Sequence, residues 1–301
     1  MIIDTQLHEP PLNLDWEDVD PAVRHRMMLE LELGYMDAVG VDRAVLFPIE
    51  LDWGFWVHEQ RPDRFRVVPM ITPPDFRDGV NVNRPDLADF FARAAESPAV
   101  PALRVMHTVP GRLFGNADDP IWVFDIETYD PVYEACIRYG LPLFISTAGD
   151  LAGTAELVRR YPELTLIVDH LGMRQNPTFG LDDPPLKELP RLLALAENPR
   201  VHVKISGVPT LSAERYPFED LWAGLDQVVE AFGADRLLWG TDISRVMGRS
   251  GRVTLAPEGY EYAKHNYAEA LFYLQHTPHL TAAQKEAILG GTAARLLNWP
   301  A

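Results

Sequence analysis

YPELTLIVDH, residues 161–170, carries three signals in ten positions. Pro162 marks a turn, an unbroken apolar run follows, and the run ends on Asp169 and His170. Short apolar runs bounded by turn residues are the form of strands buried on both faces of a parallel sheet. RPDRFRVVP, NPRVHVKIS and GADRLLWGTD repeat the arrangement, each with a turn residue ahead of the run. In all, eight strands are expected: 2–8, 42–49, 64–71, 102–108, 142–147, 164–170, 201–207 and 236–242. The segments between them have helical periodicity, as in MMLELELGYMDAVG, which closes on Gly40, and FEDLWAGLDQVVEAFG. Strand starts recur every ~20 to ~40 residues, the spacing of strand–helix units.

Eight such units predict an α/β protein, a single-domain (β/α)8 TIM barrel over residues 1–301. An open doubly wound sheet would bring a glycine-rich phosphate loop after its first strand. DTQLHEPPLN contains no glycine, and the later GGTAARLL reads as a turn. The segments 109–128, 171–187 and 243–264 follow strand ends and are expected to form irregular loops on the active-site rim.

The net charge of −17 argues against nucleic acid and anionic membrane surfaces as partners, since their binders need basic patches. No apolar stretch approaches the ~18 residues of a membrane span, and no signal-peptide pattern opens the sequence. The single cysteine, Cys136, excludes an internal disulfide framework and is expected to be a buried, inert thiol. These features predict a cytoplasmic location.

A barrel places its chemistry at the C-terminal ends of its strands. Those ends are unusually polar here: Gln6, His8 and Glu9, then Glu50, Arg104 and His107, Ser146 and Thr147, Asp169 and His170, Lys204 and Ser206, and Asp242. Each has a plain structural reading as well. Asp242 in WGTDIS could cap a helix, His170 in VDHLG could cap a turn, and His8 could be a satisfied strand-edge histidine. Arg104 and Lys204 need partners if buried, either a structural carboxylate or an anionic substrate. Among the other histidines, only His265 is a further site candidate. Trp53 and Trp56, after the second strand, could line a substrate pocket.

IIDTQLH, ALRVMH, LTLIVDHLG, VHVKISG and LLWGTDIS, in this order, resemble the amidohydrolase superfamily and, within it, the amidohydrolase-related family 2. VKISG looks more like its lactonase branch than its decarboxylase branch. The resemblance implies a barrel hydrolase of a lactone or related cyclic ester or amide, acting on a small molecule, with anionic substrates among those expected. The family's paired strand-one histidines are here Gln6 and His8, and its strand-five metal histidine is replaced by Ser146. Zinc catalysis needs about three protein ligands and an open position. A tightly held metal is therefore not expected; if one divalent ion (zinc, manganese or iron) is bound, His8, His170 and Asp242 are its ligands. Without it, Asp242 is the expected general base, and His8 and His170 polarise the carbonyl. Arg104, Lys204, Gln6, Ser146 and His107 are the expected substrate contacts.

Two alternatives accompany this reading. One is a metal-dependent decarboxylase, hydrolase or oxygenase with a modified ligand set. The other is a catalytically degraded subunit that partners a related active chain; a homo-oligomer is a further expectation.

Overall fold

A computed structural model of the chain describes residues 1–10, 19–73, 79–110, 121–123, 125–175, 182–243 and 265–299. In chain order the elements are β1 (Ile3–Leu7), α1 (Pro21–Val39), β2 (Arg43–Leu46), α2 (Leu51–Gln60), β3 (Phe65–Val67), β4 (Met70–Thr72), β5 (Val80–Asn81), α3 (Leu87–Glu96) and β6 (Leu103–Met106). They continue with β7 (Thr108–Pro110), β8 (Ile121–Val123), α4 (Asp130–Tyr139), β9 (Leu143–Ser146), α5 (Leu151–Arg160), β10 (Leu166–Val168), α6 (Leu189–Ala194) and β11 (Val201–Ser206). The last are α7 (Trp222–Phe232), β12 (Leu237–Gly240), α8 (Tyr267–Gln275), α9 (Ala282–Glu286) and α10 (Thr292–Leu296).

Parallel pairing runs β1–β2–β3 and then β4–β6–β9–β10–β11–β12. The third barrel strand, expected as one run over 64–71, is broken into β3 and β4. Pro69 has no N–H to donate, so the strand cannot pair continuously. Val68 N donates back to Leu46 O (2.8 Å), whereas Pro69 O accepts from Arg104 N (3.1 Å), so the pairing partner changes across the break. Asp242 N donates to Gln6 O (3.0 Å) and joins the last strand to the first. The result is the (β/α)8 TIM barrel.

Ile3, Val45, Phe47, Val68, Phe144, Ile167 and Leu238 fill the barrel interior, which Ala293 of α10 and the following Leu297 and Trp299 floor. A larger apolar layer lies between sheet and helices. Helix α1 starts where Asp20 accepts from Ala22 N and Val23 N with Pro21 behind it, and stops at Gly40 in the left-handed region.

Three expectations change. GGTAARLL is helical: Ala287–Gly291 form a π turn leading into α10. Gly290 is required there, because a Cβ would lie 2.3 Å from Met1 O. Thr108–Pro110 and Ile121–Val123 form an antiparallel pair, β7–β8, within a segment read as irregular. Trp53 is fully buried in the helix–sheet layer and does not line a pocket. Most of the expected rim loops, residues 111–120, 176–181 and 244–264, lie outside the described residues. Cys136 is buried, and burial pushes its thiol well up. Among the described residues no helix is long and apolar enough to cross a membrane.

Candidate active site

Strand β1 carries a one-residue register shift against β2 between Asp4 and Leu7. Such a bulge re-aims side chains next to active sites. Ile3 belongs to the barrel interior and Leu7 to the outer layer, while Gln6 and His8 both reach interior partners. Asp4 stabilises the irregular stretch: its Oδ1 accepts from Gln6 N and Thr241 N (2.9 Å each). Its Oδ2 accepts from the hydroxyls of Thr241 (2.5 Å) and Tyr267 (2.6 Å). Burial raises the Asp4 carboxyl to about 6, against the pull of these hydrogen bonds. The sequence reading missed this residue; its signal was an acid within an apolar strand.

Below the strand ends lies a charged network. Asp169 pairs with Lys204 through Oδ1 (2.7 Å) and with Arg104 through Oδ2 (2.8 Å). Burial alone would raise the Asp169 carboxyl, but Lys204, Arg104 and then His170 hold it below its usual value. Burial pulls Lys204 down to about 8, opposed chiefly by Asp169. The Lys204 ammonium also lies 4.4 Å from the Phe47 ring centroid and 4.6 Å from that of Phe144. These faces solvate a cation that no water reaches. Its remaining bonds go to Thr5 O (3.2 Å) and Gln6 Oε1.

Arg104 differs from Lys204. Its Nε is used by Asp169, but its two terminal nitrogens make no hydrogen bond among the described residues.

Above this layer, His8 and His170 flank Asp242. His8 Nε2 is 3.6 Å from Asp242 Oδ1, and His170 Nε2 is 3.9 Å from Oδ2. Asp242 is fully buried. Its φ is +50°, and those of His170 and Leu171 are +56° and +58°. Left-handed backbone at non-glycine residues is held only where its surroundings enforce it, and such strain concentrates at functional sites. Ser206 Oγ meets His170 Nδ1 at 2.8 Å, and Gln175 donates to Ser206 O (3.0 Å).

Not every expected site residue joins this group. His107 turns to Asp150, 2.9 Å away at the start of α5, and lowers that carboxyl. Ser146 is buried at the end of β9, two residues beyond Phe144. Glu9 accepts from Ile49 N and Glu50 N (2.7 Å each), ahead of α2. His265 lies 3.5 Å from Glu269 on α8.

The amidohydrolase family model matches residues 3–299. The chain belongs to the amidohydrolase family.

An L-fucono-1,5-lactonase from Burkholderia ambifaria is 29% identical over 178 residues, 57% of this amidohydrolase. The match spans 56% of that relative, just over half its length. Two solved structures share the fold. One is an amidohydrolase from Burkholderia multivorans with bound zinc, 20% identical, with 100% of both chains covered and a TM-score of 0.64. The other is a Pseudomonas putida protein assigned as a 2-pyrone-4,6-dicarboxylic acid hydrolase, 23% identical, covering 100% of this chain and 98% of its own, TM-score 0.64.

The zinc in one of these relatives makes the donor set here worth testing. A catalytic zinc takes three lone-pair donors at about 2.0–2.2 Å. In this amidohydrolase Gln6 turns its amide nitrogen, which has no lone pair to give, toward His8 Nε2 (2.9 Å). The His8 donor atom is thereby engaged by a neighbouring N–H. Lys204 adds a positive charge directly behind Gln6. Among the described residues no group of three His, Cys, Asp or Glu side chains is arranged to hold a metal ion. The residues do not fit the three-ligand zinc site.

Proposed function

We propose that this amidohydrolase hydrolyses a lactone or related cyclic ester, with Asp242 as the general base. One observation carries the reading. A fully buried carboxylate lies two residues past the end of β12 with an imidazole edge on either side, at 3.6 and 3.9 Å. A carboxylate so placed accepts a proton from water as the oxygen attacks the carbonyl carbon. The tetrahedral oxyanion then collapses, the ring C–O bond breaks, and the departing alkoxide takes the proton back from Asp242. No net charge or atom is left over.

His170 Nδ1 lies 2.8 Å from Ser206 Oγ and 3.4 Å from Ser206 O; with the nearer hydroxyl donating to Nδ1, the His170 proton is on Nε2, where it can meet the oxyanion. Arg104 supplies its terminal nitrogens to a carboxylate or hydroxyl group of the substrate, in the parallel geometry a guanidinium allows. This favours an oxygen-rich or anionic lactone. Lys204, expected at first to touch substrate, has its contacts inside the network and serves to fix Asp169 and Gln6. The lactonase among the relatives supports the substrate class.

The test is Asp242→Asn assayed on a panel of sugar lactones and carboxylated lactones. Loss of a general base should lower kcat by at least ~100-fold. Turnover near that of the wild type would remove Asp242 from the role.

A further inference from the structure

The hydrogen bonds around Gln6 fix more than its own position. An ammonium has only donors, so the atom of the Gln6 amide that faces Lys204 must be the carbonyl oxygen. The amide cannot flip without setting N–H against N–H. Its NH2 group therefore faces His8 Nε2. A nitrogen that accepts from an N–H must be bare, so the His8 proton belongs on Nδ1. The other end of the ring agrees: Nδ1 lies 2.6 Å from Phe47 O, which can only accept. Lys204, Gln6, His8 and Phe47 thus form one chain with a single consistent direction of donation.

This arrangement bears on the base. An Nε2–H on His8 would face Asp242 Oδ1, 3.6 Å away, and would compete with the proton of water for that oxygen. A bare Nε2 cannot do this. We propose that Gln6 is a positioning residue, which transmits the fixed place of the Lys204 ammonium to His8 and keeps that imidazole in its Nδ1–H tautomer, so that His8 sets no N–H against Asp242 Oδ1. The functional half of this inference rests on Asp242 being the base. It also changes the part of His8. In this tautomer His8 does not donate from Nε2 to the oxyanion, and carbonyl polarisation falls to His170.

The experiment records long-range proton correlations of isotope-labelled imidazole nitrogens in the wild type, Gln6→Glu and Gln6→Met, alongside kcat and KM on the best lactone. A His8→Asn sample identifies the His8 signals. The wild type should show a protonated Nδ1 and a bare Nε2. Gln6→Glu keeps the acceptor for Lys204 but replaces the donor, so its carboxylate should draw a proton onto Nε2. Loss of an orienting partner typically lowers activity about 10–100-fold, and the fall is expected in kcat with little change in KM. Gln6→Met keeps the length without either polar atom and should give mixed tautomers. A wild-type His8 protonated on Nε2 overturns the proposal. So does an unchanged Nδ1–H form in both variants, which would mean that Phe47 O fixes the ring alone. The spectra do not depend on turnover. An active Asp242→Asn enzyme would overturn the base assignment, whereas the nitrogen signals decide the role of Gln6.

Discussion

At Asp169, the residue before the strand-six histidine, one carboxylate balances two cations of unequal standing. Arg104 retains free terminal nitrogens among the described residues, and Lys204 is sealed. The Lys204 proton is the more easily lost, since burial brings it to about 8 while a lysine in the unfolded chain titrates near ~10.4. As pH rises through that value the ammonium becomes an amine, the hold on Asp169 and Gln6 weakens, and kcat/KM should fall. The effect of this one group on stability has the opposite sign. Its folded value is depressed, so it strengthens folding as pH climbs between the two values. The alkaline loss of activity is therefore expected without unfolding, which a pH–rate profile and thermal melts on the same samples will check. A profile that stays level well past pH 8 would remove Lys204 from the working site.

Helix α1 shows a different economy of charge. Glu32 is buried between this helix and the barrel, and both its carboxylate oxygens lack a hydrogen-bond partner in the described residues. Burial, then Asp4 and Glu9, raise its carboxyl well above the usual range. A buried polar group without partners costs about 1–3 kcal/mol. Glu32→Met, which keeps length and removes the polar atoms, is expected to stabilise the protein by about 1 kcal/mol in denaturant titrations. Destabilisation would show that Glu32 has a partner in solution. On β1 the alternation of Gln6 and His8 was legible, because strand geometry repeats every two residues. The register shift ahead of them was not. It arises from Asp4 meeting Thr241 and Tyr267, residues more than two hundred positions away.

The whole barrel is closed from below by Ala293, Leu297 and Trp299. Trp299 lies under Arg43 and Arg66, whose guanidinium carbons sit 5.3 and 4.8 Å from its ring centroid. Arg66 also donates to Leu297 O (2.8 Å) and Arg43 to Trp299 O (3.3 Å). Trp299→Ala should cost about 3–5 kcal/mol, the usual loss for a buried tryptophan. Because this floor is at the end of the barrel opposite the strand-end site, kcat below the melting temperature should stay close to wild type. A large fall in kcat at full folding would show that the floor and the site are coupled.

The sequence by itself determined the barrel and placed polar residues at most of its strand ends. Eight buried strands leave eight apolar runs, and a cation such as Lys204 or an acid such as Asp242 is conspicuous when it interrupts or ends one. Local composition carries that information because burial acts on each residue separately. The sequence could also show that Gln6 stands where the family has a histidine. Only the tertiary structure decided which atom of Gln6 meets Lys204, which partner each cation takes, and which nitrogen of His8 faces Phe47 O. Those are properties of pairs brought together from distant strands, as Lys204 and Gln6 are, and a hydrogen bond depends on direction and distance that residue type alone does not contain.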